Sequence, residues 1–145
     1  MVQGKPRIQR QMAMWWEQYR MPPGSSRRYQ YSIFDKVQVD RTTASMDDAV
    51  ALARGMPRID LLVIAPGEVQ LVELKPNAQL KDVGQVVMYR KYLQRDIFLQ
   101  QHLTMPVSMH LVSLKDNASV RAACDAEGIQ YHVIPLSELP PPLEY

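Results

Sequence analysis

Three residues able to handle charge, Asp60, Glu73 and Lys75, stand in two apolar runs, IDLLVIA (59–65) and EVQLVELK (68–75), that flank Pro66-Gly67. Alternation along a strand puts Asp60, Leu62 and Ile64 on one face of the first run. It puts Val69, Leu71, Glu73 and Lys75 on one face of the second, with Gln70, Val72 and Leu74 on the other. With Pro66-Gly67 at the centre of a tight turn, Ala65 pairs with Glu68, and the register carries Ile64 to Val69, Leu62 to Leu71 and Asp60 to Glu73. Directly opposed like charges destabilise a strand pair, so the two acids need either a cation between them or full exposure to solvent. A divalent ion meets the first condition, and oxygen ligands without histidine or cysteine favour Mg²⁺ or Mn²⁺ over zinc. Lys75, one pleat further along, then stands where it can stabilise a negative transition state or orient an attacking water. The alternative reading is an ordinary salt-bridged rim at the strand ends. Pro-Gly suits a type II turn better than the primed turns of tight hairpins, and a bulge there would shift the register by one and part the acids.

These residues need elements to hold them. RIQRQMAMWWEQYR (7–20) places Ile8, Met12, Trp15 or Trp16 and Tyr19 at helical spacing, and MPPGSS ends that helix. RRYQYSIFDKVQVD predicts a strand over 28–39, and TTASMDDAVALARG a short helix from a Ser45 capping box with Asp48 to a Gly55 stop. After the hairpin, Leu80, Val83, Val86, Val87, Leu93 and Ile97 recur at helical spacing over 79–101, the longest predicted helix. A strand over 106–114, a helix capped by Asp116 or Asn117 and stopped at Gly128, and a strand in IQYHVIP follow. The tail LSELPPPLEY is expected to be extended. Strand–helix–strand crossovers give parallel neighbours and the hairpin an antiparallel pair, so the expectation is an α/β sandwich around a mixed sheet of five strands.

A chain of 145 residues, 46% apolar and 22% charged, is expected to form one soluble globular domain over 1–145, with a basic N-terminal segment and a proline-rich tail from about 136. No run is long and apolar enough to span a bilayer, and nothing in the N-terminal stretch reads as an export signal. The single Cys124 forms no internal disulfide and belongs to no zinc spacing, so a reducing cytoplasmic setting is expected. Cys124 reads as a packed apolar residue. The net charge of +2 is unevenly spread: residues 1–34 carry six basic residues against Glu17, a net of +5, and the remainder carries eleven against fourteen acids, a net of −3. A basic arm touching phosphates and a solvated basic terminus are both compatible with that asymmetry.

Asp60, twelve intervening residues and Glu73-Leu74-Lys75 resemble the PD-(D/E)xK nuclease superfamily, with Ile59-Asp60 standing where members often have Pro-Asp. GQVVMYRKYL resembles the Gln-x-x-x-Tyr stretch of members related to bacterial recombination nucleases, phage exonucleases and archaeal Holliday-junction resolvases, here Gln85 and Tyr89. The resemblance covers most of the chain and implies a restriction-endonuclease-like αβββαβ core. It implies Asp60, Glu73 and the Leu74 carbonyl as metal ligands, Lys75 beside the attacking water, and Gln85 and Tyr89 lining the site. Many members add a glutamate from the first helix, for which Glu17 is the available residue, although WWEQYR reads equally as core tryptophans beside an exposed acid. Arg20, Arg27, Arg28 and Lys81 are the expected phosphate contacts.

The function expected from the resemblance is Mg²⁺- or Mn²⁺-dependent hydrolysis of phosphodiester bonds in DNA, in repair, recombination or phage biology. No helix-turn-helix or zinc module is visible, so selection by structure or by a partner is favoured over readout of a site. Two other classes stay open. One is a non-catalytic binding or assembly protein on the same fold, with LPPPLEY as a partner segment. The other is a metal-independent RNA-processing nuclease, which needs a histidine or tyrosine acid–base set; His102, His110 and His132 share no motif. Trp15, Trp16, Tyr29 and Tyr31 read as core ahead of base-stacking. Homo-oligomers, such as a toroidal exonuclease or a dimeric resolvase, would carry the same motif.

Overall fold

The structure, a computed structural model, describes residues 7–33, 58–94 and 105–142. The expected helix from Ser45 to Gly55, the continuations beyond residues 33 and 94, and His102 lie outside these residues. Helix α1 (Arg7–Tyr19) buries Met12, Ala13, Trp15 and Trp16, a stripe at helical spacing. Its end is closed by the Arg20 and Met21 N–H groups, which both donate to the Trp16 carbonyl, before Pro22 and Pro23. Strand β1 (Ser26–Ser32) follows, then β2 (Arg58–Ala65) and β3 (Glu68–Leu74) as the hairpin. Gly67 sits at φ 86°, the left-handed backbone that the second central position of a type II turn requires. The turn keeps Ala65 opposite Glu68 and Leu62 opposite Leu71, so no bulge separates the two acids.

Helix α2 (Leu80–Leu93) opens on a capping box: the Gln79 N–H donates to Asp82 Oδ2 at 2.8 Å. Strand β4 (Val107–Ser113), helix α3 (Ala118–Glu127) and strand β5 (Ile129–Val133) complete the order. Asn117 caps α3 by accepting the Ser119 and Val120 N–H groups, and Gly128 at φ 72° ends it. The sheet is β1-β2-β3-β4-β5, antiparallel across β1, β2 and β3 and parallel across β3, β4 and β5. It is the expected five-stranded mixed sheet.

Two cores share this sheet. Met12, Ala13, Trp15 and Trp16 pack on Leu61, Val63, Ala65, Val72, Leu74, Val112 and Ile134. On the other face Leu62, Val69, Leu71, Leu111 and Ile129 meet Val83, Val86, Tyr89 and Leu93 of α2 and Val120 and Cys124 of α3. The central strands β2 and β3 are buried on both faces, which is why their sequences are nearly continuous apolar runs.

Three expectations need correction. Strand β1 begins at Ser26, two residues ahead of the expected start, and its described pairing reaches Ser32↔Arg58; the part of the expected 28–39 run beyond residue 33 lies outside the described residues. The crossover rule would make β1 parallel to β2, but the pair is antiparallel, so the end of β1 and the start of β2 lie at the same end of the sheet. The tail is not a free extended arm: Leu136–Glu138 form a 3₁₀ turn, Trp15 Nε1 donates to Glu138 Oε1, and Gln11 Nε2 donates to the Pro140 carbonyl.

Candidate active site

The β2–β3 register places Asp60 and Glu73 one rung beyond the paired residues Leu61 and Val72. Their side chains take over the ladder there. The Asp60 N–H donates to Glu73 Oε1 at 2.9 Å, and the Leu74 N–H donates to Asp60 Oδ2 at 2.9 Å. Each carboxylate is thus fixed by the other strand's backbone. Both are buried, Asp60 at 7% exposure and Glu73 at 1%. Burial first, and the Asp60 charge second, push the Glu73 carboxyl up to about 8, against the lowering effect of the Asp60 N–H and of Lys75. Positive charge at this pair relieves the stress that burial and like charge impose.

Lys75 supplies part of it, with Nζ 3.8 Å from Glu73 Oε2. The segment carrying Lys75 is stitched to the end of β4. The Lys75 N–H donates to the Val112 carbonyl, the Leu114 N–H to the Pro76 carbonyl, and the Ala78 N–H to Ser113 Oγ. Because the Lys75 N–H points to β4, the N–H and C=O of Leu74 both face the β2 side, where Asp60 lies. The Leu74 carbonyl accepts from Gln9 Nε2 of α1 at 2.7 Å. Two carboxylates and a carbonyl are hard oxygen donors suited to Mg²⁺ or Mn²⁺, with water filling the remaining positions. Among the described residues no group of three or more histidine, cysteine, aspartate and glutamate side chains could hold an ion.

Helix α2 brings Tyr89 to the same face. Burial, then Glu73 and Asp60, push its hydroxyl up to about 12, while a hydrogen bond with Gln85 works the other way. Their spacing of four residues puts Gln85 and Tyr89 one turn apart. Lys75, Lys81, Asp82, Gly84, Gln85 and Met88 line an open cleft of about 450 Å³ beside the acids. Arg28, exposed on the edge strand opposite Leu62, shares the sheet face of Asp60.

Glu17 is not brought to the acids. Its carboxylate pairs with Arg27 Nε at 3.3 Å and accepts from the Tyr29 hydroxyl. Burial raises the Glu17 carboxyl and Arg27 offsets it. Arg27 and Tyr29 lie opposite Val63 and Leu61, which belong to the α1 layer, so Glu17 lies across the sheet from Asp60 and Glu73. It also stands eight residues along α1 from Gln9, about 12 Å at the helical rise. Arg20 lies over the Trp15 ring at 4.9 Å on that same side. Tyr29, read as core, is 46% exposed.

Two amides that no motif announced stand at the acids: Gln9 on the Leu74 carbonyl, and Gln30, whose Nε2 donates to Asp60 Oδ1 at 3.1 Å. A histidine pair was also missed. On the α1 face, His110 Nδ1 and His132 Nε2 are 3.0 Å apart, and His110 Nε2 is 2.8 Å from Ser108 Oγ. Trp16 packs edge-on to both rings, and its Nε1 donates to Gln70 Oε1. Burial lowers both imidazoles, His110 to about 3 with help from His132, and His132 to about 4 with help from Arg20. Alternation alone puts His110 with Val112, but only the parallel pairing of β4 with β5 brings the rings together.

A mixed five-stranded sheet with helices on both faces and a charged hairpin end is an α/β fold shared with a nuclease. The solved structure is that of a repair endonuclease from Pyrococcus abyssi, with a TM-score of 0.56 and 16% identity over 92% of this chain and 49% of that one. The chain therefore spans about half the length of that protein. No family model and no curated protein matches the chain.

Proposed function

We propose that this chain is a metal-dependent nuclease of PD-(D/E)xK type that hydrolyses phosphodiester bonds in DNA. The observation that carries the reading is the buried Asp60–Glu73 pair, each acid held by the opposite strand, with Lys75 at its rim. Burying two carboxylates side by side costs stability, which an ordinary salt-bridged rim would avoid by leaving them in solvent. Likeness in fold to a repair endonuclease is a coarser support.

A bound Mg²⁺ or Mn²⁺ would supply Lewis-acid polarisation of the scissile phosphate and a more acidic water. Asp60, Glu73 and the Leu74 carbonyl are the residues that would hold it. The chain's own groups do the rest. Glu73, whose carboxyl is raised to about 8, would have to give up its proton to hold a cation near neutral pH. Lys75 offers a point charge to the negative charge that develops on the phosphoryl oxygens. Tyr89 stays protonated at any working pH and so acts as a donor, with Gln85 holding its hydroxyl. Lys81, at the cleft beside Lys75, is placed to take a neighbouring phosphate of the strand.

The test is cleavage of labelled linear duplex, single-stranded and branched DNA with Mg²⁺, Mn²⁺ or EDTA, beside a Lys75→Ala protein of confirmed fold. Metal-dependent cutting that drops roughly 10²-fold or more in the variant is expected. No cutting of any substrate by folded wild type, with no calorimetric Mn²⁺ binding, would remove the reading.

A further inference from the structure

We infer that Gln30 is a positioning residue for Asp60, and that β1 carries a left-handed backbone at that point in order to aim it; the inference rests on the nuclease reading. The pairs Tyr29↔Leu61 and Tyr31↔Ile59 bracket Gln30 opposite Asp60, and the register is the same on both sides of it. No residue has been inserted, yet Gln30 has φ 50°, alone among the non-glycine residues described. A side chain with a Cβ is disfavoured there, and a strand rarely tolerates it without a bulge. Gln30 is exposed, so burial of its own side chain does not account for the conformation. The contact that does is its amide on Asp60 Oδ1, at 3.1 Å.

Together with the Leu74 N–H on Oδ2, this bond leaves the two oxygens of Asp60 held from two different strands. Gln30 comes from the edge strand and Leu74 from the strand across the hairpin. A carboxylate pinned at both oxygens has little freedom to rotate, which is what a ligand needs to present one geometry to an ion with strict octahedral demands. A strained residue kept at such a point indicates that the position of its side chain is selected over local comfort. Gln30 is given no contact with the scissile phosphate or the attacking water; it acts through Asp60.

Two variants separate this role from a structural one. Gln30→Gly relieves the backbone and removes the amide, whereas Gln30→Leu keeps the strain and removes only the donor. Three readouts apply: the melting temperature in EDTA, hydrogen exchange at the Leu74 amide that donates to Asp60, and kcat and KM for Mg²⁺-dependent DNA cleavage. The expected result for Gln30→Gly is a higher melting temperature with Leu74 exchange roughly tenfold faster. Its kcat should be lower by roughly tenfold or more at unchanged KM. Gln30→Leu should match it in exchange and kcat without the gain in melting temperature. Unchanged Leu74 protection and kcat in both folded variants would overturn the inference. If wild type neither cuts DNA nor binds Mn²⁺, the nuclease reading fails, and the exchange measurement still decides whether Gln30 holds Asp60.

Discussion

At the scale of single residues, the chemistry of the hairpin end is a matter of one proton. A carboxyl raised from 4.5 to about 8 is held protonated by the fold. Its stabilising contribution is therefore full below pH 4.5 and is lost as the pH rises through 8. Melting temperatures of the metal-free protein should fall between pH 6.5 and 8, above the range in which the buried His110 and His132 work the other way. Asp60→Asn removes the like charge that stands second only to burial, so the same series should be flatter in that variant. Added Mg²⁺ should restore stability most strongly at the alkaline end, because binding needs the ionised form. A wild-type melting curve indifferent to pH between 6.5 and 8 would contradict the assignment. The trio Asp60, Glu73 and Lys75 was legible in the chain because a two-residue turn and strand alternation are local rules. Gln30 was not, since its contact depends on which strand lies beside β2.

At the scale of elements, the sheet separates two polar clusters. The acids face α2, and the histidine pair lies under Trp16 of α1. For the histidines the linkage has the opposite sense to that of Glu73. Both are bases lowered from 6.5, to about 3 and about 4, so the fold favours their neutral forms. The stability they contribute is complete above pH 6.5 and is lost as the pH falls through 4 toward 3. Among the groups packed around the pair, Arg20 and the imidazoles oppose further positive charge, while Ser108 supplies a neutral hydrogen bond. From pH 7 down to 4 the raised Glu73 carboxyl works the other way, so the check is a difference: as the pH falls, urea midpoints of wild type should lose ground relative to those of His132→Asn. An equal slope in the two proteins would sink this account. Glu17 illustrates why a helix assignment does not place a side chain. Burying Trp15 and Trp16 sets the rotation of α1, and with it Glu17 turns to Arg27 and Tyr29 on β1.

At the scale of the whole molecule, the ends of the described chain close on each other. Helix α1 takes the tail through Trp15 on Glu138 and Gln11 on the Pro140 carbonyl, with Leu139 packed beside them. A double-mutant cycle of Trp15→Phe and Glu138→Ala should return a coupling of about 1 kcal/mol. A coupling of zero would mean that the tail does not dock in solution. Periodicity and turn chemistry by themselves determined the α/β class, the hairpin, the helix ended at Gly128 and the carboxylate–lysine set, because each depends on residues close in sequence; the structure chose Asn117 over Asp116 as the cap and the register without a bulge. Only the tertiary structure decided that β1 runs antiparallel to β2, that Gln9 and Gln30 reach the acids, that Glu17 lies across the sheet, and that two histidines share one space. Those contacts span from 10 positions, for Arg27 on Glu17, to 65, for Gln9 on Leu74, and which distant residues meet is set by the packing of two cores against one sheet rather than by any local pattern.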